Sequence, residues 1–88
     1  MSRKPGITAA SITAAFRQTL VPQARLSTRA DGGGTFEVTM ARTTARNLSL
    51  DRRPAFALSC IETVLGVRVR MTGFRTARES AVVTLQTG

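Results

Sequence analysis

The chain has 88 residues and a hydrophobic fraction of 42%, which fit one small globular domain with a single core. No apolar run approaches the ~20 residues of a transmembrane helix, so any membrane attachment is expected through a segment outside this sequence. Thirteen Lys and Arg residues against five Asp and Glu give a net charge of +8. This charge favours an acidic partner such as nucleic acid, a lipid head group or an acidic protein, or else keeps a small domain soluble.

The first segment with helical periodicity covers residues 8–20. Ile12, Phe16 and Leu20 recur on one face, as in a helix that packs one side against a core. Thr8 and Ser11 each have a side-chain oxygen suited to accept a hydrogen bond from the first helical turn, so either is a candidate to cap the helix.

A predicted hairpin follows this helix. Residues 24–29 and 36–40 both alternate between apolar and polar side chains, which is typical of half-buried strands. Gly32, Gly33 and Gly34 lie between them, and glycine adopts positive φ without strain. A phosphate-binding glycine loop requires a helix after it, whereas here a strand follows, so the triplet predicts a tight turn.

The second half of the chain repeats this order after residues 41–53, ARTTARNLSLDRR, which are interpreted as an Arg-rich linker. Asp51 is a suitable N-cap and Pro54 suits a first helical turn, which predicts a second helix that ends at Leu65. Gly66 falls at the expected C-cap. Two more alternating segments then predict a second pair of strands.

Shifting the chain by 45 residues places the first half over the second with matching inward and outward faces, for example Leu20 over Leu65 and Val38 over Val83. Two αββ units, residues 8–43 and 51–88, therefore predict an α+β fold. A four-stranded antiparallel sheet would carry both helices on one face, as in a circularly permuted ferredoxin-like fold. Residues 1–7 are interpreted as a flexible basic N-terminus, or as residues placed ahead of the natural sequence.

Side chains that perform catalysis or hold a metal are scarce. The sequence has no His, five scattered carboxylates and one cysteine, Cys60, which aligns with Ala15 on a helix and is expected to pack. Serine and cysteine nucleophiles need a neighbouring base, and zinc needs several His or Cys ligands. We therefore expect a non-enzymatic protein without a cofactor or metal.

Charge provides one candidate binding surface. Four arginines are predicted to lie on the sheet face opposite the helices: Arg25, Arg29, Arg68 and Arg70. RNA-recognition sheets stack bases on aromatic side chains, which this face lacks, so base recognition is not expected. Electrostatic binding of nucleic acid remains an alternative.

The edges of the predicted sheet provide a second candidate, because an open antiparallel sheet can extend by pairing with another chain. The strands Val67–Met71 and Ala81–Leu85 are the predicted seams. The candidate partner-binding residues are Val67, Val69, Met71 and Val82.

The second unit, residues 54–88, resembles the C-terminal periplasmic domain of the M-type protein of type II secretion systems. In that pattern Phe56 opens the helix, Gly66–Val69 forms the step into the hairpin, and Ala81–Leu85 is the closing strand. The apolar helix positions are Leu58, Ile61 and Leu65. Residues 11–40 fit the earlier αββ half of the same family.

The resemblance implies a permuted ferredoxin-like domain that forms a homodimer. It also implies pairing with the similarly folded L-type protein of the inner-membrane platform in a secretion or pilus machine, and a periplasmic location with an anchor upstream. Without the resemblance, a cytoplasmic location is expected. A phage- or plasmid-encoded inhibitor of a host complex is the remaining alternative.

Overall fold

The computed structural model describes residues 7–88, which form an α+β fold with an open, four-stranded antiparallel sheet. The predicted fold class is thus confirmed at this level. The strands lie in the order β1-β2-β4-β3. In chain order the elements are α1 (Ala9–Thr19), β1 (Ser27–Gly32), β2 (Thr35–Ala41), α2 (Arg42–Asn47), α3 (Pro54–Leu65), β3 (Val69–Thr76) and β4 (Ser80–Thr87). The prediction for residues 1–7 lies outside the described residues except at Ile7, which is half-buried against the core.

The ends of α1 and α3 follow from local chemistry. Of the two candidate caps of α1, Thr8 is the N-cap, because its Oγ1 accepts a hydrogen bond of 3.1 Å from the backbone N–H of Ser11. Pro54 begins α3, and Gly66 ends it in the left-handed conformation with φ of 72°. The N-cap of α3 is Arg53, so the prediction of Asp51 at this position is wrong.

The helix α2 is absent from the sequence prediction, which placed a linker there and counted two helices rather than three. Its residues have modest helix propensity, and six residues are too few for a stable isolated helix. The segment is helical because Ala45, Leu48 and Leu50 are buried in the core. Ser49, with a positive φ of 57°, lies in the turn between α2 and α3, and Leu50 directly after it is buried.

One core joins the helices to the sheet. Alternate residues of the central strands are buried, with Phe36, Val38 and Met40 on β2 and Ala81, Val83 and Leu85 on β4. Ile12, Phe16, Ala45 and Ile61 of the three helices belong to the same buried cluster. The helices therefore cover one face of the sheet and leave the other face free.

The glycine triplet forms the turn that the sequence predicts. Gly33 and Gly34 connect β1 to β2 with φ of 61° and 81°, as a two-residue type I′ turn requires. Thr87 donates its N–H to the carbonyl of Gly34 at 2.8 Å, which ties this turn to the end of β4.

A bulge in β3 changes which residues face the core. The register of β3 against β4 shifts between Met71 and Gly73, which leaves Thr72 as the additional residue. Phe74 consequently pairs with Val83 and packs against the core, and Arg75 faces the uncovered side. Simple alternation from Val69 would give the opposite facing.

Candidate functional site: sheet edges and basic surfaces

The sheet has two outer strands, β1 and β3. β4 lies inside the sheet, where it pairs with β2 on one side and β3 on the other. The prediction that Ala81–Leu85 is a seam is therefore wrong, since both of its backbone edges are used. Val82 lies on the free face of this central strand and is half-buried.

The edge of β3 is partly closed by α3. Gly88 donates its N–H to the carbonyl of Arg68, so by antiparallel alternation the backbone groups of Val69 point away from β4. Glu62 of α3 meets them there, and its Oε2 accepts a hydrogen bond of 2.8 Å from the N–H of Val69. The carboxylate occupies a donor that a pairing strand would need.

The side chains predicted to bind a partner at this edge face the core instead. Val69 is buried, and Val67 and Met71 are half-buried and pack against the core. By the same alternation the backbone of Met71 points outward, but the bulge at Thr72 interrupts the strand directly after it. Beyond the bulge the alternation directs the backbone groups of Phe74 and Thr76 outward, so the free edge of β3 is divided into two short parts on either side of Thr72.

The edge of β1 is open. The bond from Thr87 to Gly34 fixes the alternation of β2, so that Thr35, Glu37 and Thr39 bond toward β1. The backbone groups of Thr28 and Ala30 then point away from the sheet. Within residues 7–88, no hydrogen bond outside the sheet ladders uses these groups.

Charge on β1 is arranged so that the strand complements itself. Arg29 and Asp31 lie on either side of Ala30, and all three residues are exposed. Asp31 is the additional residue of a bulge between Ala30 and Gly32. In an antiparallel pair of two such strands centred on Ala30, each Arg29 lies opposite Asp31 of the other strand.

The predicted basic face is present in part. Arg29 and Arg70 lie on β1 and β3 among the residues that face away from the core, whereas Arg25 and Arg68 are exposed just ahead of those strands. Arg75 also lies on this face, and sequence reasoning missed it because of the bulge. Gly73 within the strand was the signal that could have indicated the bulge.

One carboxylate stands between these arginines. Glu37 accepts a hydrogen bond of 2.8 Å at Oε1 from Arg29 Nη2, and its Oε2 lies 3.7 Å from Arg75 Nη2.

Most arginines of the described residues have no carboxylate nearby. Arg3 and Lys4 precede the described part, which leaves eleven of the thirteen basic residues, all arginines. Only Arg29 and Arg75 among these come within 4.0 Å of a described carboxylate, so nine arginines have no ion-pair partner there.

A cleft lies beside α2, at the end of the sheet opposite the glycine turn. Its volume is about 540 Å³, and three of the unpaired arginines line it: Arg42, Arg46 and Arg78. Phe74 and Ala45 are among the apolar lining residues, and Asp51 and Glu79 are the acidic ones. The volume lies in the range of small-molecule sites.

The described residues hold no group of three or more His, Cys, Asp or Glu side chains placed to bind a metal. Cys60, predicted to pack, is half-buried on α3. None of the helices within residues 7–88 has both the length and the apolar character to cross a membrane. Phe56, which opens α3, is 73% exposed rather than part of the core.

Comparison with protein-family models, with curated proteins and with solved structures gives no match in any of the three.

Proposed function

We propose that this chain is a non-enzymatic assembly module that forms a homodimer by pairing two copies of β1. The observation that carries the proposal is the open edge of β1, where Thr28 and Ala30 direct unbonded backbone groups away from the sheet. Antiparallel pairing supplies hydrogen-bond partners for these groups and joins two sheets into one. The partner is a second copy because β1 carries both members of a complementary charge pair.

Charge selects the register of the pair. Centring the two-fold axis on Arg29 would place two guanidinium groups opposite each other, which is unfavourable for a cross-strand pair. Centring it on Ala30 places each Arg29 opposite Asp31 of the second copy and leaves both Ala30 residues as a hydrogen-bonded pair. The small side chain of Ala30 lets the two strands approach closely. A closed dimer with an isologous interface follows.

Sedimentation equilibrium of the chain and of Ala30→Pro tests this pairing. Proline has no N–H and is tolerated at edge positions whose N–H faces solvent, so the substitution is expected to abolish the dimer and keep the fold. Ala30→Ser, which retains the N–H, is the matched control and is expected to dimerise. Circular dichroism establishes that the variants are folded.

A second pair of variants tests the charges. Asp31→Lys and Asp51→Lys each raise the net charge from +8 to +10, since a negative charge is replaced by a positive one. Asp31→Lys is expected to weaken the dimer about tenfold, which corresponds to about 1.4 kcal/mol. Asp51→Lys, away from β1, is expected to leave it unchanged. A strictly monomeric chain at millimolar concentration, or equal effects of both variants, would contradict the proposal.

The finer architecture is part of the same proposal. We infer two repeated αββ units in a permuted ferredoxin-like sheet. The first residues of α1 and β2, Ala9 and Thr35, lie 45 residues before the first residues of α3 and β4, Pro54 and Ser80. Moving the last strand to the front of the chain turns the observed sheet order into that of a ferredoxin-like sheet. Both relations support the inference, and α2 is then an insertion between the units.

The resemblance to the M-type secretion protein supplies a proposed setting. There the dimer would belong to an inner-membrane platform on the periplasmic side and would pair with the L-type protein of similar fold. Binding of purified L-type periplasmic domain in a pull-down tests this setting separately, because the homodimer does not depend on it.

Electrostatic binding of nucleic acid is the second candidate, and the nine arginines without a described carboxylate partner favour it. Such binding weakens steeply with salt. A gel shift with a single-stranded oligonucleotide at low salt tests it, with Arg70→Gln expected to reduce the affinity. No shift at low salt would exclude it.

A further inference from the structure

The cleft beside α2 is a separate feature from the open edge of β1. It lies where α2 meets the hairpin that connects β3 and β4, and its lining combines side chains from all three of these elements. No part of the proposed dimer interface reaches it, since Ala30 lies toward the other end of the sheet. The cleft is therefore not part of the proposed dimer interface.

Hydrogen bonds hold the walls of the cleft together. The N–H of Arg42 donates to the carbonyl of Glu79 at 3.0 Å, and Arg42 Nη1 donates to the carbonyl of Arg78 at 3.3 Å. Ala77 donates its N–H to the carbonyl of Ser80 at 2.8 Å, which closes the hairpin. The first turn of α2 and this hairpin are thus joined into one unit.

The other wall is fixed by burial. Ala45 is buried in the middle of α2, and Leu48 and Leu50 anchor the segment that follows. Arg46 lies one turn after Arg42, so both side chains project from the same side of α2. Phe74 contributes a half-buried aromatic ring to the lining.

The charges of the lining are not mutually satisfied. Arg42, Arg46 and Arg78 bring three guanidinium groups to one cleft, and no described carboxylate comes within 4.0 Å of them. Asp51 and Glu79 also line the cleft. Its three positive and two negative side chains give it a net charge of +1. Guanidinium forks suit phosphate oxygens, and free carboxylates accept hydrogen bonds from amino groups.

We propose that this cleft binds a nucleoside monophosphate. The arginines hold the phosphoryl group, Phe74 contacts the base, and Asp51 or Glu79 accepts a hydrogen bond from an exocyclic amine. Inorganic phosphate fits less well, because it uses neither the aromatic ring nor the acceptors. The volume of about 540 Å³ is sufficient for a ligand of this size.

Titrations followed by amide NMR, with AMP, adenosine and inorganic phosphate as probes, test this site. The AMP titration is expected to reach saturation and to shift the amide signals of residues 41–46 and 74–81. Adenosine and phosphate are each expected to bind at least about tenfold more weakly, since each lacks one set of contacts. AMP shifts confined to other residues, or equal binding of AMP and adenosine, would overturn the proposal, as would equal binding of AMP and phosphate.

Arg46→Gln is the diagnostic variant, because Arg46 is exposed and no hydrogen bond within the described residues depends on its side chain. It is expected to weaken AMP binding about tenfold. Arg17→Gln, which removes an exposed arginine from α1, is the matched control and is expected to have no effect. Equal loss of affinity in both variants would reduce the effect to net charge and contradict a defined site. Arg46→Lys, which keeps the charge but not the fork, is expected to recover only part of the affinity.

Discussion

The two outer strands of the sheet differ in how their edges are treated. β3 is longer and more apolar, yet Glu62 occupies the N–H of Val69 and the bulge at Thr72 interrupts the edge. β1 is short, polar and bulged only near its end, and its outward backbone groups at Thr28 and Ala30 have no such partner. Apolar sequence is therefore a poor guide to the edge that can pair. What decides it is whether another element supplies a group that closes the edge.

Opening the edge of β3 should have the largest effect. Glu62→Ala removes a charge-assisted hydrogen bond and leaves the N–H of Val69 without its acceptor. We expect the free energy of unfolding to fall by about 2 kcal/mol in urea denaturation. We also expect species larger than a dimer in sedimentation velocity, since the N–H of Val69 would then lengthen the free part of the β3 edge ahead of the bulge. Glu79→Ala changes the net charge equally, and its side chain accepts no hydrogen bond in the described structure, so similar results for both would contradict this role of Glu62.

The next largest effect is expected at the glycine turn between β1 and β2, where substitutions of Gly33 and Gly34 should differ in their cost. Both glycines have positive φ, which costs a residue with a Cβ about 1–2 kcal/mol. A Cβ on Gly34 would also lie 3.0 Å from the carbonyl oxygen of Thr87, whereas one on Gly33 would meet nothing within 4 Å. Thermal unfolding should therefore show a greater loss for Gly34→Ala than for Gly33→Ala. Gly33→Asn, which suits a type I′ turn, should be nearly neutral.

Removing one side-chain hydrogen bond of β1 tests the contribution of this strand to folding separately from its pairing with a second copy. Thr13 of α1 and Thr28 share a hydrogen bond of 2.7 Å between their hydroxyl oxygens. Thr13→Val should lower the free energy of unfolding by about 1 kcal/mol and leave the dimer constant unchanged, because the outward backbone of Thr28 is untouched. Thr63→Val, which removes only an exposed hydrogen bond of 3.0 Å from the Thr63 hydroxyl to the carbonyl of Ser59 within α3, is the control and should cost less stability and leave the dimer constant unchanged.

The smallest effect is expected on the free face of the sheet. Arg29 donates to Glu37 at 2.8 Å across adjacent strands, whereas Arg75 lies 3.7 Å from the same carboxylate. Exposed ion pairs contribute about 0–1 kcal/mol. In urea denaturation at a concentration where the chain is monomeric, Arg29→Gln should thus cost a few tenths of a kcal/mol more than Arg75→Gln, and the difference should disappear in 1 M salt. A larger cost for Arg75→Gln than for Arg29→Gln would contradict this ranking of the two ion pairs by distance.

The sequence is sufficient to predict the helices α1 and α3, the glycine turn and the inward faces of β2 and β4, because local periodicity and capping chemistry determine them. It is not sufficient for α2, whose weak propensity is overridden by the burial of Leu48 and Leu50. Alternation also does not reveal which strands are neighbours, so the central position of β4 was missed. The bulge at Thr72 reverses the facing of Phe74 and Arg75, and only Gly73 hinted at it.

The hydrogen bond from Val69 to Glu62 has a consequence for stoichiometry. A sheet with two adhesive edges can add copies at both ends and grow into a ribbon without limit. A sheet with only one edge that can pair stops growing once two copies have paired. The carboxylate of Glu62 on α3 and the bulge at Thr72 thus together favour a particle of fixed size over a polymer, and they do so at a distance from the surface where the two copies join.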